Sequence, residues 1–251
     1  MNLLDAFDVR LPRHEAAPVS LFVLSLHDEI CEALGVQYVE YSRDFEHLKQ
    51  IQAANAAPEG GNWPAFNPAF DPACQVSSLD NGNAFFLTVT IGGEVRAAKA
   101  IKLRRLAPGE TLQQALVSKA YIYDDPAAFP NDAVSCDCDT AYSIRGCYVC
   151  DSGALWVHPL LRGRGLNIGG KLTLLSHAVA FAIYPVDWFV AMINPENTIR
   201  ILHRDQGFTR VEFPFQWKCE ALPGVEQSLK ALEFKARHEL RNHMMLTNSG
   251  R

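Results

Sequence analysis

The chain has 251 residues, 48% of them apolar, a formal net charge of −5 and a pI near 5.9. That supports a folded core in one large or two small domains, and gives no overall pull toward nucleic acid. No apolar run reaches the length of a membrane span and the opening MNLLDAFDVRLPRHE lacks a signal-peptide pattern, so a soluble, cytoplasmic protein with no membrane partner is expected.

In chain order, Ala6–Leu11 is read as a first strand closed by Pro12. Val19, Phe22, Val23, Leu26, Ile30 and Leu34 trace an amphipathic helix stopped by Gly35. A second helix is expected over about Tyr41–Ile51. Residues 54–82 hold several prolines and aromatics and read as a packed loop. It is either a surface excursion pinned by Trp63, Phe66 and Phe70 or one wall of an acceptor pocket. Alternation over Phe85–Ile91, then Gly92-Gly93, then Val95–Leu103, predicts a hairpin. Thr111 is expected to cap a helix running to about Ala120.

Seven cysteines are scattered at 31, 74, 136, 138, 147, 150 and 219. Cys136-x-Cys138 and Cys147-x-x-Cys150 raise the question of a zinc site. The first pair is too close for the usual knuckle, and Cys147 and Cys150 point to opposite faces of a strand-like run. Reduced cysteines buried as small apolar groups are expected, with no metal. Ile144–Cys150 is expected to pair with Leu155–Val157 across an Asp151-Ser152-Gly153 turn.

The most informative stretch is Ala154–Ile183. Leu155, Trp156 and Val157 form a short buried strand closed by Pro159. Arg162, Gly163, Arg164, Gly165, Gly169 and Gly170 follow, and then Ile168, Leu172, Leu175, Val179 and Ala182 at helical spacing. Such a loop brings backbone amides and a helix N-terminus to a phosphate or pyrophosphate. It is not a Walker loop, because no Gly-Lys-Ser/Thr follows, and no dinucleotide G-x-G-x-x-G opens the helix.

Val157-His158-Pro159 with Arg162-Gly163-Arg164-Gly165-Leu166 resembles the acyl-coenzyme A loop of the GCN5-related N-acetyltransferases, Gln/Arg-x-x-Gly-x-Gly/Ala after a strand ending Val-x-Pro. Asn167 stands where Gly or Ala is expected; either asparagine is accommodated or Gly169 takes that role. NPENTIRILHRDQGF, residues 194–208, resembles a second signature of the family, with His203 at its usual tyrosine.

The resemblance implies a mixed α/β fold: a mostly antiparallel twisted sheet flanked by helices. It implies a single domain over 1–251, with a core of about 6–217, an insertion at about 106–143 before the cofactor strand and an extra C-terminal helix at about 223–243. It also implies transfer of an acyl group, usually acetyl, from acetyl-CoA to a small-molecule or peptide amine, and a possible homodimer. The pyrophosphate is then placed on the amides of Arg164, Gly165, Leu166, Asn167, Gly169 and Gly170, with Arg162 and Gly163 in the same loop. The strand carrying Leu155 and Val157 splays from Asp187–Ile193 to admit pantetheine, and the Val157 amide polarises the thioester carbonyl. His203 is the candidate general acid, Asp151 a candidate base, and Asn197 a helix cap or cofactor contact. Retained binding without turnover, or transfer of a longer acyl chain, are the alternatives.

Overall fold

The computed structural model describes residues 9–57, 61, 63, 67–75, 78–79, 82–194, 206–219 and 228–249. The helices are α1 (Arg13–Leu34), α2 (Phe45–Ala54), α3 (Leu112–Val117), α4 (Asp139–Ser143), α5 (Ile168–Ile183) and α6 (Arg237–Ser249). The strands are β1 (Glu40–Ser42), β2 (Ala84–Ile91), β3 (Glu94–Arg105), β4 (Ala133–Cys136), β5 (Tyr148–Val157), β6 (Trp188–Ile193), β7 (Arg210–Lys218) and β8 (Ser228–Ala236). All eight lie in one sheet, in the order β1-β2-β3-β5-β6-β8-β7-β4. Every neighbouring pair is antiparallel except β5 and β6.

Two layers cover the sheet. On one face α1 and α5 pack together, with Leu240 and Met244 of α6 in the same core. Lying between sheet and α1, α5 is buried almost all round, which is why its sequence is apolar on more than one side. On the other face, α2 and the 67–75 segment cover β2 and β3, with Phe45 and Phe70 against Phe86, Ala98 and Ala100. Beside them α3, β4 and α4 cover Val149, Val190, Leu232 and Phe234. The expected insertion therefore supplies an edge strand, β4 paired to β7, and a second core.

Several local expectations hold for visible reasons. Gly35 ends α1 at φ +64°. Thr111 caps α3 in a full capping box with Gln114. The β2–β3 hairpin turns at Gly92-Gly93, both at positive φ.

Other expectations are overturned. Residues 9–11 of the expected first strand are irregular, the Arg10 amide donating to Ala182 at 2.9 Å, and 6–8 lie outside the described residues. Among the described residues the first strand is β1, in the Tyr41 region read as helix; α2 starts only at Phe45, where Asp44 accepts from the His47 amide. The helix after Thr111 ends at Val117, and Lys119 reverses the chain at φ +67°. Asp151-Ser152-Gly153 is no turn, because β5 runs through it with β3 as partner along its length. Of the C-terminal helix expected over 223–243, residues 223–227 lie outside the described residues and the rest is a strand, β8, and then α6. The Leu229–Leu232–Ala236 spacing mimics a helix, but the segment fills the sheet between β6 and β7, with Leu232 and Phe234 on one face and Ala231, Glu233 and Lys235 on the other.

Candidate functional site: a wedge in the sheet beneath a glycine-rich loop

The parallel pair β5–β6 is short. Val149, Cys150 and Asp151 face Trp188, Phe189 and Val190, and there the pairing stops. Beyond it β5 stays with β3, and Ala191–Ile193 of β6 stay with Glu233, Leu232 and Ala231 of β8. The sheet opens into a wedge with its narrow end at Ser152. A bulge bends β5 there: Ala100 faces Gly153 but Ala98 faces Trp156, so β5 carries one extra residue, and Ala154 stands at φ +49°. Phe70 packs so close to Gly153 that a Cβ there would lie 2.3 Å from its ring.

The strand presents usable backbone to this gap. The His158 amide donates to Arg96 of β3 at 2.8 Å. In an antiparallel ladder alternate residues turn both backbone groups to the same side, so Val157 turns its N–H and C=O away from β3, into the wedge. Its carbonyl accepts from Arg162 Nε at 2.6 Å. Arg162 thereby braces the strand end, while Arg164 is exposed and makes no ion pair or hydrogen bond among the described residues.

The loop beyond follows from its residue types. Gly163, Gly165 and Asn167 stand at φ +71°, +72° and +47°, and no atom lies within 4 Å of where a Cβ of either glycine would be. Asn167 is the N-cap of α5, accepting from the Gly170 amide at 3.3 Å. No hydrogen bond among the described residues uses the amides of 163–169. Gly169 sits over Leu155 and Val157, within 3.7 Å of both for an added Cβ. Free amides, a helix N-terminus and Arg164 thus stand at the mouth of the wedge.

No family model and no curated protein sequence matches the chain. Solved structures to which the chain is similar include Arabidopsis thaliana NAA60 in complex with acetyl-CoA (14% identity, 79% of this chain and 98% of that one, TM-score 0.44). They also include FeeM, an N-acyl amino acid synthase from uncultured soil microbes (13%, 84% and 96%, 0.46), and a spermidine N-acetyltransferase, SpeG, from Vibrio cholerae (10%, 82% and 98%, 0.44).

The structure gathers Leu155, Val157, Arg162–Asn167, Gly169 and Gly170 at one place. His203 and Asn197 lie outside the described residues. Asp151 is not in a turn but inside β5, 1% exposed, beside Lys102 on the face away from α5. Burial pushes its carboxyl up, against the pull of Lys102, Lys99 and Arg104. Lys102 donates to the Ala69 carbonyl and to Gln75 Oε1 at 2.9 Å, and Arg104 to Gln75 and Asp124, so this network pins the 67–75 segment to the sheet. Trp63 stacks on Trp156 with ring centroids 4.6 Å apart, and Phe70 is fully buried, so both of these aromatics pin the loop; Phe66 lies outside the described residues. His158 is buried beneath Gly61 and accepts from the Leu160 amide at 3.2 Å, an end-of-strand cap. All seven cysteines are free, and the described residues hold no group of three His, Cys, Asp or Glu arranged for a metal ion.

Sequence reasoning missed a polar cluster under α5. Lys99, Ser152, His177, Glu233 and Lys235 are all at most 3% exposed. Ser152 Oγ lies 2.7 Å from His177 Nε2, and the His177 ring packs on Phe189. Burial pulls His177 well below its ordinary value, with Lys99 and Lys235 adding to the effect. Burial lowers Lys99 to about 7 and Lys235 to about 8, and raises Glu233 to about 8. The signal was visible as charges inside apolar strand runs, AAKAI and ALEFKA.

Proposed function

We propose that the chain is an acyl-coenzyme A-dependent N-acyltransferase, with acetyl the first acyl group to test and an amine as acceptor. One observation supports this most: an unpaired wedge between parallel strands opens directly beneath a loop of unengaged amides. A pyrophosphate suits the amides of 164–169, with Arg164 supplying the charge. An extended amide-bearing arm suits the Val157 N–H, which has no strand partner on the wedge side. The same amide type, aimed at a thioester oxygen, stabilises charge that develops when the carbonyl is attacked. His203 is proposed as the acid that protonates the departing sulfur. Asp151, enclosed by Lys102 and Arg104, is better suited to holding those cations than to meeting an amine.

Calorimetric titration with acetyl-CoA tests the binding step. Wild-type binding that weakens by about tenfold in Arg164→Ala, one charge-assisted contact, is the expected result. An absence of binding by the wild-type chain would remove the reading. Thiol release in the presence of an amine panel then separates a transferase from a protein that only binds.

A further inference from the structure

The cluster under α5 holds an acidic and a basic side chain that the acyl-donor site does not use. Lys99 projects from β3 opposite the bulge of β5, on the α5 face, as do its neighbours Ala97 and Ile101. Glu233 projects from β8 opposite Ala191 of β6, on the same face. The two therefore approach the wedge from opposite banks, and the small side chain of Ala191 leaves Glu233 a path across β6. They lie within electrostatic reach of each other, yet form no ion pair. Both Glu233 oxygens are buried without a hydrogen bond, and Lys99, 1% exposed, stands in the field of Asp151 and then of Glu233. Leaving such groups unanswered costs free energy, so their retention points to a ligand that answers both.

We propose that Lys99 and Glu233 form a two-charge subsite for an acceptor whose primary amine stands beside a carboxylate, an α-amino acid. A simple amine would answer Glu233 and leave Lys99 unpaired. A polyamine would add repulsion with Lys99 and with Lys235. The zwitterion answers both banks: its carboxylate meets Lys99 and its ammonium meets Glu233. Other groups on this face are His177 from α5 and Lys235 from β8 itself; Asp151 of β5, opposite Lys102 on the other face, acts on Lys99 through the sheet more strongly than Glu233 does.

The proposal rests on the acyl-transfer reading for its chemistry. The ammonium gives one proton to the Glu233 carboxylate. The freed nitrogen attacks the thioester carbonyl carbon, the C–N bond forms and the C–S bond breaks. The electron pair leaves on sulfur, which ends with the second proton from nitrogen. Glu233 releases its proton to solvent as product departs.

The test compares thiol release with leucine and with leucinamide, which keeps the amine and removes the carboxylate. Leucine is expected to be preferred by at least about tenfold in kcat/KM, the worth of one charge-assisted hydrogen bond. Lys99→Met should collapse that ratio and Lys99→Arg should restore part of it, with retained acetyl-CoA affinity showing that each variant is folded. Glu233→Gln should lower kcat more than it raises KM and remove the acid limb of the pH profile. Equal use of leucine and leucinamide, or a ratio unchanged by Lys99→Met, overturns the subsite while leaving the transferase reading intact. If no acceptor releases thiol, the transferase reading fails and the subsite is read by calorimetry of leucine with and without coenzyme A. Binding lost in Lys99→Met upholds it there, and an absence of leucine binding overturns it.

Discussion

Asn167 caps the helix that its own loop introduces: its side chain accepts from the Gly170 amide at 3.3 Å while its backbone stands at φ +47°. It thus does by side chain and by left-handed backbone what a glycine at this position does by conformation alone. Asn167→Ala should lose the cap and strain the backbone, costing about 2 kcal/mol in denaturant unfolding. Asn167→Gly should cost only a few tenths of a kcal/mol. A glycine variant as unstable as the alanine variant would show that the cap, and not the backbone, sets the position.

The strand-loop-helix at Leu155–Ile183 was legible because each step has a local chemical cause: a proline closing a strand, glycines at positive φ, an apolar helix. The wedge was not, since it depends on where β5 stops pairing with β6, a property of register between distant segments. For the same reason β8 was read as helix: Leu229, Leu232 and Ala236 stand at helical spacing, and only the vacancy between β6 and β7 makes the segment a strand. Lys99 and Glu233 sat in plain view within apolar runs. Nothing local says that two such strands bring their charges to one gap.

Gly153 carries a close packing demand as well as the bulge. A methyl group there would meet the Phe70 ring at 2.3 Å. Gly153→Ala should destabilise the fold by roughly 1–3 kcal/mol, the usual cost of overpacking. Phe70→Leu in the same chain should recover part of that loss. Thermal melts of the two single variants and the double variant measure the coupling; strictly additive losses would show that the contact is not what makes glycine necessary.

His177 makes the fold sensitive to acid. Its imidazole is buried, uncharged and held well below its ordinary value of 6.5 by burial, then by Lys99 and Lys235. The unfolded chain takes up that proton and the folded one resists it. Stability from this group is therefore complete above pH 6.5 and is lost as pH falls below it. His177→Phe should lose the contact with Ser152 at neutral pH yet flatten the acid side of the stability curve. Urea midpoints between pH 7 and pH 5 measure this, and parallel curves for the two proteins would contradict it.

Glu233 and Lys99 impose opposite slopes on the same curve. Burial raises Glu233 from 4.5 to about 8, so its contribution is complete below pH 4.5 and is lost as pH rises toward 8. Burial lowers Lys99 from 10.5 to about 7, so its contribution is complete above pH 10.5 and is lost as pH falls toward 7. Near neutrality both groups cost stability, Lys99 partly offset by Asp151 and then by Glu233, and Glu233 by Lys99. Glu233→Gln should therefore gain on the wild type as pH rises from 4.5 to 8, and Lys99→Met should gain as pH falls from 10.5 to 7. A gain of about 3 °C in melting temperature at the favourable end corresponds to ~1 kcal/mol in a chain of this size. Melting curves at pH 5, 7 and 9 for the three proteins give the slopes. Two variants that run parallel to the wild type would mean that neither charge is held in the dry environment that makes the pair a site.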